Sequence, residues 1–225
     1  MLESIRKMWR IPDLRNKILY TLGMLLLFRL VGVIPAPGVD AAKVLSSTAS
    51  DLPLLQLVNM MTGSNFANMT IMAMGITPYI NASIIMQLLT IAIPALERMQ
   101  KDEEGGREKI ARITRYVTVA LAAVQAIGLV AGLGYIKSGW YNYALVGISM
   151  AGGSALAMWI GERITEKGVG NGISMLIMAG ILSNLFNGIV SGFTNASANG
   201  TSSGWLNLLV IAVMFVIMVV VVTFV

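Results

Sequence analysis

Along this chain apolar residues gather into long unbroken runs, at about 18–34, 78–96, 117–136, 143–160, 173–190 and 205–225. Short polar or charged stretches separate them. A helix needs about 20 apolar residues to cross the hydrocarbon of a bilayer, so the pattern predicts six membrane-spanning helices. Residues 1–17 differ: Ile5, Met8, Trp9 and Leu14 are interleaved with Arg6, Lys7, Arg10, Arg15 and Lys17. That mixture predicts a short amphipathic helix at the headgroups, its cations toward anionic lipid. The stretch before Pro78 and the residues just after it break the pattern again. Gly75 and Pro78 interrupt a helix, and Asn81, Ser83 and Gln87 follow where a lipid-facing span would carry aliphatics. Two readings stand at this point. The stretch lines an interior passage, since broken backbone at membrane depth needs protein or water around it, or it is a proline-kinked helix packed inside a bundle.

Two further places depart from plain spans. Arg29 lies inside the first run, where an arginine costs on the order of 3 kcal/mol unless paired or hydrated; snorkelling toward the near interface is the alternative. After Pro35-Ala36-Pro37-Gly38 a long connection reaches Gly75. Within it Leu52–Met61 is apolar but too short to cross, and Gly63-Ser64-Asn65 and Asn68 are polar. This predicts a re-entrant or interfacial segment, or an ordered external loop. The fourth run carries Gly147, Ala151, Gly152, Gly153 and Ala155, which allow close approach of neighbouring helices.

Charge orients these spans. Residues 97–115 read as a charged aqueous loop broken at Gly105-Gly106, residues 161–172 as a second loop, and residues 191–204 as an external Gly/Ser-rich one. Segments assigned to alternate sides hold thirteen Lys and Arg against two, which predicts a cytoplasmic N-terminus. Arg98, Lys101, Arg107, Lys109, Arg163 and Lys167 would then face cytoplasmic partners.

Composition narrows the chemistry. Of 225 residues 56% are hydrophobic and 12% charged, with mean hydropathy +0.76; soluble domains are about a quarter charged. The absence of Cys and His removes disulfides, thiolate nucleophiles, imidazole bases and the usual zinc ligands. No carboxylate falls in the middle of a run, which disfavours an ion-coupled transporter or an intramembrane aspartyl protease. Gly168-Val169-Gly170-Asn171-Gly172 lacks the spacing of a phosphate loop and follows no strand. The residues therefore predict neither an enzyme nor a bound cofactor or metal, and no direct contact with nucleic acid. The first run lacks a small-x-small cleavage site, so no cleaved signal is expected. What remains is a passage lined by hydroxyls, amides and branched aliphatics, suited to a gated pore.

Three stretches carry a resemblance: Phe28–Asp40, Ala73–Thr90 and Trp159–Ser174. In this order and spacing they resemble the bacterial SecY family, the channel subunit of the general protein translocon. The resemblance implies an all-α polytopic helix bundle, the first half of an inverted-repeat clamshell channel with a re-entrant plug at 54–68. It assigns Ile76, Ile80, Ile173 and Ile177 to a pore ring, and Leu54, Leu55, Asn59, Met60, Met61, Gly63, Asn65 and Asn68 to the plug. Asn81, Ile84, Ile85 and Gln87 fall on a lateral gate, and Asn171 on a polar pore-lining position. Implied partners are SecE-like and SecG-like small subunits, a SecA motor or ribosome, signal peptides and unfolded polypeptides, in the bacterial cytoplasmic membrane. The family has ten spans; this chain, with a five-span half at 18–190 and a sixth run bare of flanking charge, is expected to be truncated. The rivals are a broken-helix secondary transporter of small solutes and a non-conducting insertase or scaffold.

Overall fold

The computed structural model describes residues 12–40, 59–101, 105–134 and 139–199, with scattered positions from 210 to 224. The chain forms helices α1 (Pro12–Val31), α2 (Thr77–Ala92), α3 (Pro94–Lys101), α4 (Gly106–Gly132), α5 (Trp140–Lys167) and α6 (Gly172–Asn199). It divides into two compact units, 1–181 and 182–225. In the second, the described positions between 210 and 224 are helical and exposed. Three helices are long and apolar enough to cross a membrane, four if the bent pair α2–α3 is one span. Carrying Arg15, Lys17 and Arg29, α1 falls outside that set.

Local chemistry sets the ends. Pro12 and Asp13 open α1, where a fixed φ and a carboxylate suit the exposed N–H groups. Pro78 lies in the first turn of α2 for the same reason. That helix stops at Ala92, short of the boundary at 96 read from the apolar run. Ile93 precedes Pro94 and is extended, at φ −110° and ψ 112°, as the proline ring requires of its predecessor. The axis turns by 102° into α3.

The stretch read as a charged loop, 97–115, is mostly helix. Its first part is α3, and α4 begins at Gly106 after Gly105, left-handed at φ 83°. Glu, Lys and Arg are good helix formers, so their charge marks a solvated helix surface and not a loop. Likewise α5 continues through Glu162 and Arg163 to Lys167, and α6 runs to Asn199, into the segment expected to be an external loop at 191–204.

Two cores meet on the irregular connection before α2. In one, Ala36, Phe66, Met69, Ala73 and Met74 pack with Ala126 and Val130 of α4 and Val146 and Met150 of α5. In the other, Phe28 of α1 and Met72 and Ile76 pack with Ala157, Ile160 and Ile164 of α5 and Leu176 of α6. Met72 is wholly buried. An isolated antiparallel bridge between Pro35 and Thr70 ties the exit of α1 to this connection, through Ala36 N–H to the Met69 carbonyl and Ile71 N–H to the Ile34 carbonyl, both 3.0 Å.

Candidate functional site

Residues 59–76 are the unusual backbone of the molecule. A single helical turn at 59–62 gives way to successive turns, with Gly63, Ser64 and Met69 left-handed at φ 68°, 69° and 44°. Left-handed backbone is uncommon outside glycine and persists where its surroundings impose it. Side chains supply the restraint. The Asn59 side-chain oxygen accepts from Ala67 N–H at 2.9 Å. The Thr62 hydroxyl donates to the Asn59 carbonyl at 3.3 Å and accepts from Phe66 N–H at 3.3 Å. Thr70 N–H reaches the Asn65 carbonyl at 3.1 Å. The segment thus answers much of its own hydrogen-bond demand, as backbone removed from water must.

Arg29 completes the seating. Half-buried on α1, it donates from Nη1 to the Gly63 carbonyl at 2.8 Å. The structure therefore pairs this arginine with backbone carbonyl, and among the described residues no carboxylate pairs with it.

The isoleucines read from the sequence come together. Ile76 is buried, and Ile80 of α2 and Ile173 and Ile177 of α6 pack against the same core. Ile76, Ile80 and Ile177 line a small cleft with Phe28, Met61, Thr62, Gly75, Thr77 and Leu176. So aliphatic side chains from α2 and α6 pack together beside the 59–76 segment. Sequence reasoning assigned Phe28 and Leu176 no role at this place; among the other apolar residues of their runs they carry no distinguishing signal.

The remaining candidates are more scattered. Of the plug set, Leu54 and Leu55 lie outside the described residues; Gly63 and Asn65 are buried, Asn59 and Met61 half-buried, Met60 and Asn68 exposed. On α2, Ile84, Ile85 and Gln87 are exposed and Asn81 half-buried, while Pro78, Ala82, Met86 and Thr90 turn inward. Asn171 is exposed. Its side-chain oxygen accepts from Ile173 and Ser174 N–H at 3.0 and 3.4 Å, so it caps α6, a role the sequence reading did not assign. The loop before it is tied down by two hydroxyls: Thr21 accepts from Val169 N–H at 3.1 Å, and Thr165 from Gly172 N–H at 2.9 Å.

Among the cationic candidates, Arg98, Lys109 and Lys167 are exposed and the Arg107 side chain lies outside the described residues. Lys101 pairs with Glu97 at 2.6 Å; this hydrogen bond and the ammonium charge hold the Glu97 carboxyl below its ordinary value. Arg163 pairs with Glu166 at 2.8 Å and lies 5.7 Å over the Trp159 ring. Arg115, not a candidate, joins α4 to α5 through Glu162 at 2.9 Å.

The family model described as SecY matches residues 70–225. The chain belongs to the SecY family. The protein translocase subunit SecY of Bacillus subtilis is 42% identical over 193 residues, covering 82% of this chain and 44% of that protein. Its counterpart in Streptomyces scabiei is 41% identical over 198 residues, covering 80% and 45%. The chain thus spans about half the length of the curated SecY proteins it matches. Among solved structures, Sec61 in the canine ribosome-channel complex from the endoplasmic reticulum has TM-score 0.65 at 23% identity, covering 84% of this chain and 42% of that one. A structure concerned with the SecY plug domain, described as stabilising the closed state of the translocation channel and maintaining a membrane seal, has TM-score 0.60 at 24% identity over the same shares. The fold is that of the SecY/Sec61 channel, all-helical and membrane-embedded.

Proposed function

We propose that the chain forms the N-terminal half of a protein-conducting channel of the cytoplasmic membrane, with its N-terminus in the cytoplasm. Unfolded secretory polypeptides would pass through it and membrane segments leave through its side. The observation that carries this reading is the convergence of Ile76, Ile80, Ile173 and Ile177 beside the buried 59–76 segment. Branched aliphatics at a constriction exclude hydrated ions because no polar group replaces lost water, yet they yield around an extended chain. The segment above them acts as the plug. The exposed face of α2 at Ile84, Ile85 and Gln87 serves as one lip of a lateral gate.

The chain supplies walls and no chemistry of its own; a SecA-type motor or a ribosome drives transport. Arg98, Lys101, Arg107, Lys109, Arg163 and Lys167 belong to the cytoplasmic surface that meets such partners, and small SecE-like and SecG-like subunits complete the assembly. The five cations within residues 1–17 suit contact with anionic lipid.

The test uses this chain co-expressed with the C-terminal portion of the Bacillus subtilis relative, in cells depleted of their own channel. Export returns with both pieces and not with this chain alone. In planar bilayers, Ile80→Asn and Ile177→Asn raise resting ion conductance, whereas Val124→Asn, on an exposed face of α4, leaves it unchanged. Unchanged conductance in both ring variants sinks the assignment of the seal.

A further inference from the structure

We propose that Arg29 and Gly180 form a latch that seats the re-entrant segment, and that Arg29 sets how often it opens. The proposal rests on reading that segment as the plug. Three segments of the chain meet at Gly63. The Arg29 guanidinium on α1 holds its carbonyl at 2.8 Å, while Gly180 of α6 lies against the backbone of Met61 and Gly63. A Cβ at Gly63 would come 2.7 Å from Arg29 Nη1 and 3.1 Å from Gly180 Cα, so the glycine is needed for space as well as for its φ of 68°. A Cβ at Gly180 would run into the Met61 carbonyl oxygen. The close approach of α6 is thus possible only without a side chain there.

The balance of forces makes Arg29 decisive. Ser64 and Met69 hold left-handed backbone, and the Asn65 amide nitrogen is buried without a hydrogen-bond partner among the described residues. All three features favour release. Burial of Phe66 and Met69 favours seating, and so does the Arg29 contact, in which a charged donor meets carbonyl away from bulk water. The apolar contacts are non-directional and tolerate sliding. The arginine fixes the Gly63 carbonyl at one place, at the turn itself, whereas the other ties to α1 and its exit, Phe28 on Met72 and Ile76 and the two backbone bonds at Met69 and Ile71, hold the later part of the segment. A displacement of α1 from the α5–α6 side would therefore withdraw the donor.

The chain has no cysteine, so single cysteines report cleanly. Asn65→Cys, at a position 4% exposed, is labelled with a membrane-impermeant maleimide in membranes carrying this chain with its completing portion. Labelling follows the population of open segment. Arg29→Gln and Arg29→Met raise its rate by about tenfold or more, the factor that loss of a hydrogen bond to a charged group implies. Arg29→Lys, which keeps a charged donor, recovers part of the protection, and Gly180→Ala raises the rate as well. Tyr143→Cys, exposed on α5, labels equally in every background, which separates local release from misfolding. An unchanged rate in Arg29→Met, or Arg29→Lys labelling as fast as Arg29→Met, overturns the latch. Resting ion conductance of Arg29→Gln is read in parallel. Faster labelling with a raised leak supports both latch and plug; faster labelling with no leak supports the latch and removes the plug reading of the segment.

Discussion

α5 and α6 are equally long, and α6 is the more apolar of the two, yet 56% of the most apolar stretch of α5 is buried against 11% for α6. Hydropathy therefore marks both as able to cross a membrane and says nothing of what each one faces. The difference lies in side-chain size. The inward face of α5 carries Gly147, Ala151, Gly153, Ser154, Ala157 and Gly161, which let backbone come to backbone. α6 presents Met178, Ile181, Leu182, Phe186, Ile189 and Val190 outward and makes its close approaches near its start, through Gly172 against the Gly161 carbonyl and Gly180 against Met61. In lipid, where tails are as apolar as leucine, packing of small residues replaces the hydrophobic drive between helices.

That contrast is broken most sharply at Gly153. A Cβ there would meet the Ile71 carbonyl oxygen, which cannot turn aside as a flexible side chain would. Gly153→Leu costs about 3 kcal/mol or more and separates α5 from the connection. Gly152→Leu and, in α6, Gly188→Leu enter open space and cost about 1 kcal/mol or less, at the level of a surface change. Thermal midpoints from fluorescence-detected size exclusion in detergent give the ranking; equal loss at Gly188 would show that α6 is packed as α5 is.

A smaller effect of opposite sign is expected at Ser154, whose buried hydroxyl has no partner among the described residues. Ser154→Ala removes an unsatisfied group at nearly constant volume and raises stability by about 1 kcal/mol. A decrease would reveal a hydrogen bond made in the membrane. At the end of α5 the Arg115–Glu162 pair is half exposed on its Arg side. Its coupling in a double-mutant cycle of Arg115→Ala and Glu162→Ala is below about 1 kcal/mol and fades in high salt.

The smallest effect is on α3. The depressed Glu97 value makes its stabilisation fully present above the ordinary glutamate range, about 4.3, and lost as pH falls through the lower folded value. Carboxyl NMR of the solubilised chain shows the depressed midpoint in the parent, and Lys101→Ala returns it upward. A midpoint unmoved by that change would mean the pair does not form in solution.

Much of the architecture could be read from residues alone. Runs of apolar side chains, the Pro35-Ala36-Pro37-Gly38 stop, the break at Gly75 and Pro78 and the small residues of the fourth run each act through local chemistry. The charged stretch at 97–115 was misread because charge reports solvation, and Glu, Lys and Arg are as much at home in an aqueous helix as in a loop. Pro94 was in plain sight, but the apolar residues on both sides of it outweighed it in a hydropathy reading. Beyond 190, Ser, Gly and Asn argue for a loop by propensity, while a helix already nucleated adds each further residue at little cost.

For this protein the sequence by itself determined the apolar runs, the alternation of cations between them, the exclusion of thiol and imidazole chemistry, and the family. Only the tertiary structure decided what Arg29 holds, that Asn171 caps a helix, and that the less apolar of two equally long helices is the more buried. Span and charge follow from each residue's own preference for lipid or water. Pairings such as Arg29 with Gly63, or Gly153 with Ile71, depend on where distant backbone arrives, and the folded chain alone sets that distance.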